Sequence, residues 1–152
     1  MRPRYELGTA ALMIGSAVNY FGDRLLGVRL ELFHDIGTTF GGLSLLDIFV
    51  VPFFAGLAVA WVFGRGGKWL CYFPPLIVRC VAYATLAFGG QVPAGSSLLP
   101  LGWWGFFVIL VMEAAAFGGI LGEVFLKRIY TRSEAAKAAS RSANPQPTDS
   151  QP

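Results

Sequence analysis

Apolar residues fall along this chain in four long blocks separated by short polar stretches. A bilayer's hydrocarbon core of ~30 Å needs roughly 20 helical residues at ~1.5 Å each. The pattern therefore predicts membrane-spanning helices at about 7–22, 43–64, 72–88 and 101–126. The last is the clearest, because Leu101 to Leu126 holds only Glu113 as an ionisable residue before Glu123. The expected fold is all-α: a polytopic transmembrane helix bundle of about four spans in residues 1–130, followed by a tail over 131–152.

The interruptions carry their own signals. Residues 23–42 contain Asp23, Arg24, Arg29, Glu31, His34 and Asp35, too much charge to cross a membrane. Val28, Leu30 and Leu32 alternate with Arg29 and Glu31 as a strand would, while Leu25, Val28 and Leu32 also make a helical stripe. So many apolar residues place the segment on the membrane surface or folded into the bundle, and a short interfacial helix on the outer side is the expected form. Pro52 is placed to bend the second span, and Pro74-Pro75 sit in the first turn of the third, where a missing amide donor costs least. Trp69, Tyr72, Phe73, Trp103 and Trp104 form interfacial belts. Beyond Tyr130, basic and small residues give way to Pro, Gln and Ser, which predicts a tail that is flexible after its first few turns.

Composition agrees with the pattern. With 55% hydrophobic residues and a mean hydropathy of +0.57, the chain is too apolar for a soluble domain of 152 residues. The net charge of +3 reflects topology rather than a nucleic-acid footprint. Four spans place Arg2, Arg4, Arg65, Lys68, Lys127, Arg128, Arg132, Lys137 and Arg141 on one side, and Arg24 and Arg29 on the other. Nine against two puts both termini in the cytoplasm, the expected location being a bacterial plasma (inner) membrane. Arg2 and Arg4 with Gly15-Ser16-Ala17 resemble a signal peptide, but cleavage would leave three spans and divide the basic segments between sides. Residues 7–22 are expected to be a retained span.

Small residues recur at helical spacing as Gly15 with Ala11 and Gly22, as Gly56 and Ala60, and as Ala114, Gly118 and Gly122. Such faces let helices approach closely. They exceed what four short helices need among themselves, which predicts an accessory or scaffold subunit of a larger membrane assembly, in contact with lipid and with other subunits or copies of itself.

Buried polar groups supply the alternative. Arg79 and Glu113 both lie inside spans at compatible depths, so they are expected to pair, and with Asp47 they could form an ion or proton path in a small oligomeric transporter or channel. Glu113 facing outward to a cation on another subunit is a further option. His34 and Asp35 mark a possible outer-face site, although no i,i+4 ligand pair exists and a single histidine cannot ligate haem from two sides. No metal, cofactor or enzymatic motif is expected. Glu123 and Lys127 are spaced as a helix ion pair, and Cys71 and Cys80 as reduced core thiols too far apart along a helix to join.

Overall fold

The computed structural model describes residues 4–33, 37, 41–64, 66–89 and 92–143. The fold is mostly helical, with four principal helices. The first, α1, spans Arg4–Leu26. It stops at Gly27, whose φ of 65° is the left-handed conformation that glycine adopts without steric cost after a helix.

The chain then forms a two-residue strand, β1 (Leu32–Phe33), rather than the interfacial helix expected there. It pairs antiparallel with β2 (Ser97–Leu98), with Leu32 opposite Leu98 and Phe33 opposite Ser97. The Leu99 amide donates to the Glu31 carbonyl at 2.8 Å, extending the pairing. Tertiary contacts decide between the two periodicities. Leu30 joins Ile48, Leu99, Phe107 and Val111 in a buried cluster, which leaves the segment folded onto the bundle rather than lying beside it. Residues 34–36 and 38–40, including His34 and Asp35, lie outside the described residues.

Helix α2 (Gly42–Phe63) widens to π geometry over Leu46–Val50 before resuming α geometry at Val51. Pro52 explains the position. Its ring lacks an amide hydrogen and crowds the carbonyl four residues back, and a π turn there relieves both problems. Asp47 falls within this turn and is fully buried. A single turn, α3 (Gly67–Leu70), leads into α4 (Phe73–Gly89), and α5 runs over Leu101–Ala143. Helix α5 thus continues past Leu126 through the first turns of the expected tail, and residues 144–152 lie outside the described residues.

Three of these helical stretches, Gly42–Phe63, Gly67–Gly89 and Leu101–Ala136, are long and apolar enough to cross a membrane. Helix α1 has the length, but carries Arg4, Glu6, Asn19, Asp23 and Arg24.

Helix α2 is central, packing on α5 along one side and on α1 along the other. The small-residue faces are used here, inside the chain. A methyl group on Gly56 would strike the Ala115 carbonyl, and one on Gly118 would strike the Phe53 carbonyl, so α2 and α5 touch backbone to backbone. Gly122 fits against Ala60, Gly15 against Val59 and Pro74, and Ala114 is buried. The surplus of packing surface inferred from the sequence is therefore consumed by the bundle itself.

Candidate functional site

The most unusual group of side chains gathers around Arg79, in the middle of α4. Its guanidinium is 3% exposed and contacts three carboxylates. Nη2 donates to Asp23 Oδ1 at 2.8 Å and to Asp47 Oδ2 at 2.7 Å, and Nη1 donates to Glu31 Oε1 at 3.3 Å. Each acid comes from a different element: Asp23 from the last turns of α1, Glu31 from the segment entering β1, and Asp47 from the π turn of α2. One cation therefore ties four parts of the chain together.

The local sequence explains each placement. Asp23 lies four residues beyond the buried Asn19, which puts it on the packed face of α1. Glu31 stands between the buried Leu30 and Leu32. Simple alternation would turn it toward solvent, but its carboxylate is buried and accepts a hydrogen bond from Arg79. Asp47, expected as a possible path residue or as a capping acid at a helix start, is instead held against Arg79 by the widened turn.

A buried arginine beside three buried acids is electrostatically lopsided. Desolvation of each charge costs several kcal/mol and is offset only where partners are close and hydrogen bonds are complete. They are not complete here: Asp47 Oδ1 is buried and has no hydrogen-bond partner. Asp23 is the acid nearest solvent, with 15% of its side chain exposed, and lies one residue past the apolar stretch 7–22. Asp47 and Glu31 crowd it with like charge, and Arg79 opposes that repulsion.

Glu113 is elsewhere. Its side chain is exposed on the outer face of α5, and Arg79 is committed to Asp23, Glu31 and Asp47. The expected Arg79–Glu113 pair is replaced, for a geometric reason. Val111 and Ala115, two residues to either side of Glu113, are both fully buried. At about 100° per residue, they turn Glu113 away from the bundle. Phe106, Ile109, Phe117 and Ile120 share that outward face.

Two smaller expectations also change. Glu123 Oε1 accepts hydrogen bonds from the backbone amides of Gly66 at 2.7 Å and Lys68 at 3.3 Å, so it secures the turn before α3 rather than pairing with Lys127. Cys71 is buried and its thiol donates to the Gly67 carbonyl at 3.1 Å, whereas Cys80 is exposed rather than in the core. Among the described residues, no group of three or more His, Cys, Asp or Glu side chains is arranged to hold a metal ion.

Sequence reasoning selected Arg79 and Asp47 but not Asp23 or Glu31. The available signal was the excess of acids flanking the first two apolar blocks: four carboxylates, Asp23, Glu31, Asp35 and Asp47, within 25 residues, all on the side where only Arg24 and Arg29 offered compensation. Compared with known proteins, the chain matches no family model, no curated protein and no solved structure.

Proposed function

We propose that this chain is an integral membrane protein of four spans, with α1 as the fourth, that serves as an accessory or scaffold subunit of a larger assembly. It docks through the outer face of α5. The observation that carries the reading is Glu113, an exposed carboxylate on a helical face otherwise formed by Phe106, Ile109, Phe117 and Ile120. It lies about 18 Å from Leu101 and about 20 Å from Leu126 along the helix, at ~1.5 Å per residue. A charge at such a depth costs about 3 kcal/mol against lipid and is relieved by a partner.

The partner is a membrane helix bearing a Lys or Arg at mid-depth. A second copy of this chain is a poorer match, since Arg79 is the one basic group within an apolar stretch among the described residues and is already enclosed by three acids. The basic residues flanking the apolar blocks favour cytoplasmic termini in a bacterial plasma membrane. The alternative, a small oligomeric transporter or channel, draws on the acid excess around Arg79. Against an open pore, the inner end of the bundle is separated from that cluster by the buried Ala11, Val59, Cys71 and Ala115.

Photo-crosslinkers at Ile109 and Phe117, one turn to either side of Glu113, test the docking face in native membranes. The expected product joins a different membrane protein at a span containing a basic residue, and Glu113→Leu abolishes it. Crosslinks confined to lipid, or to a second copy of this chain, would overturn the proposal.

A further inference from the structure

The acids around Arg79 outnumber the cation three to one, and two of them converge on one nitrogen. Asp23 Oδ1 and Asp47 Oδ2 both contact Nη2, at 2.8 and 2.7 Å. Two ionised carboxylates at one buried donor repel each other, and such pairs retain a proton. The structure also shows where that proton fits. Asp47 is 0% exposed and its Oδ1 is an acceptor without a donor, an arrangement that is costly if nothing fills it.

We propose that Asp23 and Asp47 hold one proton between them, making the Arg79 cluster a proton-binding site at the Asp23 end of α1. Asp23 carries the proton and donates it to the unpartnered Asp47 oxygen, while Arg79 holds the other oxygens of the cluster. Asp23 is also the gate. At 15% exposure its side chain touches solvent while Asp47 does not, so exchange runs through Asp23. Among the described residues, the charged groups facing the pair are Arg79 from α4 and Glu31 from the segment before β1. The inference is independent of the docking role assigned to Glu113.

The site has a spectroscopic signature, because a protonated carboxyl group absorbs at a carbonyl frequency distinct from that of a carboxylate. Infrared spectra of the protein in mild detergent should show this band at neutral pH, lost in one step as the pH is raised. Asp23→Asn and Asp47→Asn each remove the band; Glu113→Gln leaves it. Labelling with 13C-aspartate shifts the band, and does so equally in an Asp35→Asn, Asp149→Asn protein, which confines its origin to Asp23 and Asp47 even if the Asn variants at those two positions fail to fold. The sign for stability follows from the shared proton: the folded state binds it more tightly than the unfolded chain does, so thermal stability falls as the pH is raised through the loss of the band. A band that ignores aspartate labelling would overturn the proposal. So would a pH midpoint that moves with sodium concentration at constant ionic strength, since that assigns the site to a metal cation instead.

Discussion

Arg79 and Glu113 are both charged residues deep within apolar helices, and the molecule treats them in opposite ways. Arg79 is drawn inward and surrounded by carboxylates from three other elements. Glu113 is turned outward and left on an apolar surface. Depth along the helix is comparable, but depth does not choose a partner; rotational position does. On α4 the arginine faces the packed side toward α1 and α2, whereas on α5 that side is occupied by Val111, Ala115 and Gly118. The close backbone contact of α2 and α5 leaves no room between them for a carboxylate. A charge that helps to assemble the fold is thereby separated from one that is free to assemble something else.

The comparison can be broken most decisively at Arg79. Arg79→Gln leaves Asp23, Glu31 and Asp47 without their cation, and the expected loss is about 3–5 kcal/mol, as for truncating one side of a buried ion pair. Detergent thermal denaturation measures it. In double-mutant cycles, Arg79→Gln with Asp47→Asn should depart from additivity by about 0.5–3 kcal/mol, and Arg79→Gln with Glu113→Gln should add. Coupling between Arg79 and Glu113 would mean that the two do meet, and would collapse the contrast.

A smaller effect tests why Glu113 is excluded. Gly56→Ala places a methyl group against the Ala115 carbonyl, and the helices must separate to accept it. The expected cost is about 1–3 kcal/mol, typical of overpacking. A neutral result would show that α2 and α5 are not in backbone contact. The least effect is expected at Glu113 itself. Because its side chain touches solvent or lipid rather than the bundle, Glu113→Gln should change the stability of the isolated chain by no more than about 0.5 kcal/mol, as surface substitutions do. A large loss would place it inside.

Much of this architecture was legible from the linear pattern. The second and third apolar blocks are helices close to their expected limits, the fourth starts at Leu101 as expected but runs on past Leu126, Pro74 and Pro75 lie in the first turn of α4, and Pro52 marks an irregularity in α2. Each follows from local chemistry: apolar run length, a missing amide hydrogen, or a glycine able to adopt positive φ. The small-residue faces were also visible, but not what they faced. Gly56, Gly118 and Gly122 read equally well as surfaces for a neighbouring subunit until the packing of α2 on α5 is known.

The site was half legible for the same reason. Arg79 and Asp47 stand out because charge inside an apolar helix is costly wherever the helix packs. Asp23 and Glu31 looked like ordinary loop acids, since nothing in residues 23–33 states that the segment folds back over α4. Run length, proline position and charge asymmetry are properties of neighbours along the chain, and the sequence alone determined what depends on them. Which acids answer Arg79, and which way Glu113 faces, depend on helix rotation and on the β1–β2 pairing across more than 60 residues. Only the tertiary structure could decide these, because the energies involved arise between elements that meet only once the bundle has formed.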